Sequence, residues 1–471
     1  MSPRCGVPWV LLLSLLIGAN NAAQSSPFRR ADVNGDGTLD LADPIYLLSA
    51  LFLGAGPLPC EDAADSNDDG NLDLADAIHA LSYMFVGGAK PPPPFNACGE
   101  DRSTDGLGCD RFPSCAHTSV PAFPNPGYPT GEWPSRLAVA DLDGDGFEDL
   151  LVANARYSHF MGYDTVSLLR NGGDGFLEPR VELGVGSTPV SIEVSDMDMD
   201  GDADVVVANQ GNEHVNGYIE GSISVLLNAG AGSFGPHKEY EVQDPPHAME
   251  VSDMDGDGDM DVVLLSSSEA QDELRILINT GTNLNVQERY ALNARSSFVA
   301  GDDLDSDGDV DLAVTSPATV DVYTNRGNAK LEGAVKYNAP YPDWIDIGDL
   351  NEDGHPDLVL TVATECDIAV LLNKANGTFD DARRSWVECE PETLFVDDVN
   401  NDGHEDVVVG SLPDDEPDAI TWLQNRGNGT FEGKRTTTIP NPRHVVALDL
   451  EGDGDQDLAA ASSLADAVFI V

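Results

Sequence analysis

The chain has 471 residues, enough for one large repeat array and a small additional module. Its 83 Asp and Glu against 24 Lys and Arg give a formal charge of −59, which argues against nucleic acid or an anionic membrane surface as a partner. An acid excess of this size often marks a disordered chain, yet 41% of residues are apolar and the acids recur at fixed places in short phrases. Ordered metal loops are the better reading.

Arg4, the apolar run Val7 to Gly18 and the small polar stretch Ala19 to Ala23 read as a secretory signal over residues 1–23. The run is shorter than the roughly 20 residues that span a bilayer, so the expectation is a secreted or cell-surface protein with no membrane span after cleavage. Losing Cys5 with the signal leaves six cysteines, an even number that suits disulfides in an exported chain.

Residues 28–88 hold two matched acidic loops. The first offers Asp32, Asn34, Asp36, Asp40 and Asp43 at positions 1, 3, 5, 9 and 12, with the carbonyl of Thr38 at 7. The second, 33 residues later, offers Asp65, Asn67, Asp69, Asp73 and Asp76 with the carbonyl of Asn71. Glycine at position 6 permits the sharp turn of a calcium loop. A helical apolar pattern follows each: Ile45, Leu47, Leu48, Leu51 and Phe52, then Ile78, Leu81, Met84 and Phe85. Aspartate stands at position 12 where a sensor EF-hand has glutamate, and in this the pair resembles dockerin modules. That resemblance implies calcium-dependent folding and a cohesin-like partner. Positions 10 and 11, Leu41-Ala42 and Leu74-Ala75, depart from the hydroxyl pairs of the best-known dockerins. Residues 89–119 form a linker, a polyproline stretch after Lys90 followed by Cys98, Cys109 and Cys115. With Cys60 these allow three pairings, of which Cys60–Cys98 with Cys109–Cys115 is favoured.

From residue 120 to 471 one phrase recurs seven times, beginning at Asp141, Asp196, Asp253, Asp303, Asp349, Asp398 and Asp449, at intervals of 55, 57, 50, 46, 49 and 51 residues. Acids or amides fill loop positions 1, 3, 5 and 9, glycine fills position 6, and apolar runs lie on both sides. Carboxylates crowded this closely repel by roughly 4 kcal/mol per close pair at an effective dielectric of about 20. A hard cation with oxygen ligands removes that repulsion. A period near 50 with several strand patterns predicts a mainly β, seven-bladed propeller preceded by the small α-helical module. In each blade strand A leads into the acidic loop and strand B leaves it. Strand C then ends in an Asn/Gly turn, and strand D opens near Phe176, Phe234, Phe379 or Phe431. The seventh blade shows only three strand patterns, so the segment ending at Tyr128 is expected to supply its outer strand and close the ring. Cys366 and Cys389 are expected to pair.

This pattern resembles the FG-GAP/VCBS repeats known from the integrin α-subunit propeller. The resemblance implies calcium held by positions 1, 3, 5 and 9 and by the carbonyl at 7. The carried-over ligands are Asp141, Asp143, Asp145, Phe147 and Asp149 in blade 1, and Asp196, Asp198, Asp200, Asp202 and Asp204 in blade 2. Blade 3 offers Asp253, Asp255, Asp257, Asp259 and Asp261; blade 4 offers Asp303, Asp305, Asp307, Asp309 and Asp311. Asparagine enters in blade 5 (Asp349, Asn351, Asp353, His355, Asp357) and blade 6 (Asp398, Asn400, Asp402, His404, Asp406). Glutamate enters in blade 7 (Asp449, Glu451, Asp453, Asp455, Asp457), which should be the least regular site. With the N-terminal pair, up to nine calcium ions are implied.

No nucleophile elbow, His-Glu-x-x-His helix or phosphate-cradling loop is present, and no catalytic residue stands out. The B–C and D–A loops share the face opposite the acidic loops. They carry Arg156, Tyr157, His159, Phe160, Tyr163, His214, Tyr218, Trp133, Tyr341 and Trp344. Aromatic rings with a few polar groups suit a protein or glycan ligand. A non-enzymatic recognition or scaffold protein is therefore expected. The alternatives are a polysaccharide-acting hydrolase or lyase, for which a deep pocket of converging Arg, His, Tyr and acids would speak, and a cell-envelope adhesion component.

Overall fold

A computed structural model describes residues 30–31, 33, 42–53, 58, 60–67, 69–86, 90–92 and 127–471. Within the last stretch, 156–163, 174, 212–220, 268–271, 282, 293–294, 340, 363–365, 414–416 and 453 are not described. The predicted signal, the first-loop residues Asp32, Asn34, Asp36, Thr38 and Asp40, and Cys98, Cys109 and Cys115 lie outside the described residues. The chain divides into two compact units, Met1–Pro121 and Ala122–Val471.

In the first unit, helices Ala42–Leu53 and Leu74–Val86 follow the two predicted loops, and a short helix, Glu61–Ala64, lies between them. Val33, Leu47, Ala64 and Ala77 form its core. The apolar stripe is narrower than its sequence pattern suggested, because Ile45, Phe52 and Ile78 face outward. Cys60 is disulfide-bonded. Among the described residues no helix is long and apolar enough to cross a membrane.

The second unit is a ring of seven four-stranded antiparallel sheets. Strand A of the successive blades spans Pro134–Ala140, Pro189–Ser195, Pro246–Ser252, Val299–Asp302, Pro342–Gly348, Pro391–Asp397 and Pro442–Leu448. Proline cannot donate to a sheet ladder, so it is tolerated as the first residue of a strand or at a bulge. Here it does both: in six blades the A–B register shifts just after it. Every strand B starts on the ninth residue of its acidic loop, at Asp149, Asp204, Asp261, Asp311, Asp357, Asp406 or Asp457. After that aspartate strand B is a buried, mostly apolar run, as in Val205-Val-Val-Ala, because each of its faces packs on a neighbouring blade. Strand D is the outer, mostly exposed edge.

The ring closes as expected. Tyr128–Pro129 pairs with Ala467–Ile470 as the outer strand of the seventh blade. The Thr130 N–H donates to Asp466 O at 3.0 Å, and the Trp133 N–H to Asp466 Oδ1 at 2.8 Å. One apolar cluster spans the join, with Leu137, Leu150 and Val152 against Leu448, Ala459, Val468 and Ile470. The strand D reading needs correction at its start. Phe234 and Phe379 precede strand D and make isolated bridges to Asn228 and Asn373, and in blade 1 that place belongs to Leu177 rather than Phe176. Only Phe431 opens a strand. Cys366 and Cys389 form a disulfide.

Candidate functional site

The acidic loops fold by one local rule. In the third, Asp253 Oδ1 accepts the N–H groups of Gly256 (2.8 Å) and Asp257 (3.2 Å), and Oδ2 accepts that of Gly258 (2.9 Å). Asp257 Oδ1 accepts the Asp259 N–H at 2.9 Å. The first aspartate thus gathers the turn around itself, and the position-6 glycine sits at φ 93°, which L side chains rarely adopt. The bonds of the position-6 and position-7 N–H groups recur in blades 1, 2, 4, 5 and 6, and the position-4 bond recurs in blade 1. In blade 7 the N–H groups of Gly452 and Gly454 reach Asp449, while Asp453 lies outside the described residues.

Position 9 anchors each loop to its blade. Asp261 Oδ2 accepts the Met254 N–H (3.0 Å) and Oδ1 the Asn279 N–H at the end of strand C (2.7 Å). Burial and the neighbouring loop carboxylates push Asp149, Asp204, Asp261 and Asp357 up to about 6 and Asp311 to about 7. Carboxylate oxygens converge: Asp141, Asp143 and Asp145; Asp196, Asp198 and Asp204; Asp253, Asp255 and Asp261; and Asp303, Asp305 and Asp307 each bring three within 4.8 Å. Asp149 Oδ2, Asp311 Oδ2, and Oδ1 of Asp143, Asp255 and Asp305 are buried without a hydrogen-bond partner. Orphaned anionic oxygens are costly unless a cation completes them. The donor set, hard oxygens in a glycine-turned loop, fits a hard divalent ion.

Blades 5 and 6 differ. Asn351 Nδ2 donates to Asp357 Oδ2 at 3.1 Å, and Asn400 Nδ2 to Asp406 Oδ2 at 2.7 Å. The amide there answers the position-9 carboxylate that is left orphaned in blades 1 and 4. In the N-terminal unit the second loop repeats the propeller rule. Asp65 Oδ2 accepts the Gly70 N–H (2.8 Å), Asp69 Oδ1 the Asn71 N–H (3.0 Å), and Asp76 Oδ2 the Asp73 N–H (2.9 Å). Asp76 Oδ1 is buried without a partner, and burial together with Asp65 raises Asp76 to about 7. Asp43, its counterpart in the first loop, is buried and accepts the Val33 N–H at 2.9 Å.

Sequence reasoning missed a second set of residues on this face. Asn171, Asn228, Asn279, Asn325, Asn373 and Asn425 close strand C, and each sends its side-chain amide to a loop carbonyl of the preceding blade. Their acceptors are Asp449, Leu142, Met197, Met254, Leu304 and Leu350. The loops are thereby stitched blade to blade across six of the seven junctions. The available signal was an asparagine at the end of six C strands, which looked like ordinary turn chemistry.

On the opposite face the residue before the strand A proline is left-handed in five blades: Trp133, Thr188, Tyr341, Glu390 and Asn441, at φ 51–59°. Bulky residues rarely adopt this conformation. It leaves Trp133 and Tyr341 exposed, at 49% and 57%. Trp344 belongs elsewhere. The bulge after Pro342 turns it inward, and it lies buried against Phe298 with ring centroids 3.9 Å apart. The predicted loop residues Arg156, Tyr157, His159, Phe160, Tyr163, His214 and Tyr218 lie outside the described residues.

The model of the FG-GAP-like repeat matches residues 141–207, 303–360 and 398–460, each stretch running from one acidic loop into the next blade. The chain thus carries FG-GAP-like repeats on a seven-bladed β-propeller. No curated protein sequence matches it. Among solved structures it is similar to a putative 6-phosphogluconolactonase from Bacteroides uniformis, at 11% identity and TM-score 0.51 over 68% of this chain and 91% of that one. A periplasmic gluconolactonase from Pseudomonas aeruginosa aligns at 14% identity and TM-score 0.48, over 69% and 94%. An Agrocybe aegerita lectin recognising non-reducing terminal N-acetylglucosamine aligns at 17% and 0.46, over 65% and 80%. At these identities the likeness is one of fold alone.

Proposed function

We propose that this is a secreted, calcium-stabilised recognition protein without catalytic activity. Calcium in the acidic loops fixes one face of the ring, and the opposite face meets a protein or glycan ligand. The observation that carries the recognition reading is the pair of exposed rings, Trp133 and Tyr341, held outward at strained backbone positions on the D–A turns. Aromatic rings on rigid turns are efficient anchors, because little side-chain entropy is lost on binding. The calcium part is supported by the orphaned loop oxygens. In the N-terminal unit the turn around Asp65 and the helix after it support a dockerin-like EF-hand module serving attachment, with a cohesin-like protein as its partner.

The test is a glycan and protein binding screen in calcium and in chelator, repeated with Trp133→Ala and Tyr341→Ala. A ligand that needs both rings and calcium supports the reading; one bound equally by the double variant refutes it. A polysaccharide-acting hydrolase or lyase is the second reading. It is favoured by an axial cavity that Arg136, His444, Glu193, Glu250 and Asp346 all line. Turnover of a polysaccharide that ceases in Glu193→Gln would establish it in place of the first.

A further inference from the structure

The A strands of the ring surround an axial cavity of about 350 Å3. Its lining is sorted into layers. Where the strands begin, Arg136, Phe298, Trp344 and His444 pack across it. Arg136 Cζ lies 4.7 Å from the Trp344 ring centroid and 5.4 Å from that of Phe298, and the Trp344 and His444 rings are 5.0 Å apart. His444 Nδ1 accepts the Leu137 N–H at 3.2 Å, so the imidazole is a neutral part of this roof. Further along the strands come three carboxylates, Glu193, Glu250 and Asp346, on blades 2, 3 and 5, with Ala138, Ala300 and Val446 on others.

The three acids are not held alike. Asp346 is fixed, its oxygens accepting the N–H groups of Ile347 (2.9 Å) and Val396 (2.8 Å). Glu250 reaches over Gly301, where a Cβ would come within 3.2 Å of its Oε1. Glu193 lines the cavity, half-buried, with no hydrogen bond or ion pair among the described residues. No described cation answers the trio: Arg136 donates to Ser135 O at 2.9 Å, and Arg443 pairs with Glu392. Burial raises Glu193 to about 7, with repulsion from Asp346 adding to it, and raises Asp346 to about 6 despite its two backbone hydrogen bonds. Half-buried like charges facing one cavity favour a cation between them.

Geometry separates two kinds of cation. Four propeller loops bring three carboxylate oxygens within 4.8 Å of one another, and the axial trio does not. One small metal ion therefore cannot satisfy all three. The cavity would hold on the order of ten waters at about 30 Å3 each, and small-molecule sites begin at about this size. Its walls between the acids are methyl and methylene groups. We propose that the axial cavity binds an aliphatic di- or polyamine, its methylenes along the apolar wall and its ammonium groups on Glu193, Glu250 and Asp346. This site is separate from the outer recognition face and from the calcium loops.

The test is titration calorimetry of the full chain in saturating calcium and about 150 mM salt, which screens the acidic surface to within about 8 Å. The probes are spermidine, 1,5-diaminopentane and the neutral 1,5-pentanediol. One-to-one binding of the amines but not the diol is expected, weakened at least tenfold in Glu193→Gln/Glu250→Gln. Ala138→Phe, which keeps every charge and fills the cavity, should also abolish it, so a folding defect in the first variant does not decide the matter. Equal amine binding by the wild type and both variants overturns the proposal. So does a calcium count lowered by one in the Glu→Gln variant with no amine binding, since the occupant would then be a metal.

Discussion

The blade-to-blade asparagines offer the sharpest energetic test, because two of them differ in one countable respect. Asn228 Nδ2 donates to Leu142 O (2.8 Å) and Ala203 O (3.2 Å); Asn325 Nδ2 donates to Met254 O (2.8 Å) and Val310 O (3.1 Å). Met254 O also accepts the Ala329 N–H at 2.9 Å, whereas Leu142 O has no second described donor. Both asparagines are buried. Each Oδ1 also accepts one backbone N–H, that of Gly230 (3.1 Å) for Asn228 and that of Arg326 (2.8 Å) for Asn325. Replacing either by alanine removes three hydrogen bonds worth about 1 kcal/mol each, and a buried carbonyl left with nothing costs a further 1–3 kcal/mol, roughly. Asn228→Ala should therefore cost about 4–6 kcal/mol and Asn325→Ala about 3 kcal/mol. Urea unfolding at saturating calcium measures this as a lower midpoint at unchanged slope. Equal losses, or a loss below about 0.5 kcal/mol at Asn228, would refute the inter-blade role.

Three further outcomes follow from the same geometry. Asp255→Asn removes charge from a loop whose Oδ1 has no partner. It should raise the melting temperature in chelator and lower it in calcium, a reversal that a purely structural aspartate would not give. Deleting residues 467–471 removes strand C of the seventh blade and the seat of Tyr128–Pro129, and should abolish cooperative melting of the whole ring; a truncated chain that melts like the full one would disprove the clasp. Above pH 6.5 the axial acids make the calcium-saturated ring pH-sensitive. Glu193, with a folded value of about 7 against 4.5 when free, and Glu250, raised well above the usual range, hold protons in the fold that the unfolded chain has released. Stability is then greatest at low pH and is lost as pH rises through 7. The groups facing them are Asp346 and Asp302, with Arg136 and His444 in the roof. His444, lowered to about 3 by burial and Arg136, acts oppositely but only below 6.5. The melting temperature should fall between pH 6.5 and 8, and Glu193→Gln/Glu250→Gln should flatten the profile.

Blade number, loop positions and ring closure were legible in the sequence because they are local and periodic. A nine-residue acidic phrase every 50 or so residues counts the blades, and a missing fourth strand at one end demands a donor at the other. What stayed hidden depends on contacts between periods. The Asn228 amide meets a carbonyl 86 residues earlier, so nothing near it in the chain distinguishes it from a turn residue. Trp344 looked like a surface anchor beside Tyr341, but the bulge after Pro342 reverses which way it points, and hydropathy does not record a bulge. Glu193, Glu250 and Asp346 are three acids among 83, and only the ring brings blades 2, 3 and 5 to one axis.

Calcium as architecture is the central claim. Extracellular modules bind with dissociation constants of about 0.1–1 mM, so at about 1 mM calcium each loop would contribute roughly 0.4–1.4 kcal/mol. Seven such loops contribute roughly 3–10 kcal/mol, comparable with the net stability of an ordinary domain. The direct measurement is a thermal melt of the full chain, with parallel limited proteolysis, in 1 mM calcium and in excess chelator. A large fall in melting temperature with new cleavage in the propeller is predicted. Unchanged melting and unchanged protease resistance would contradict the account.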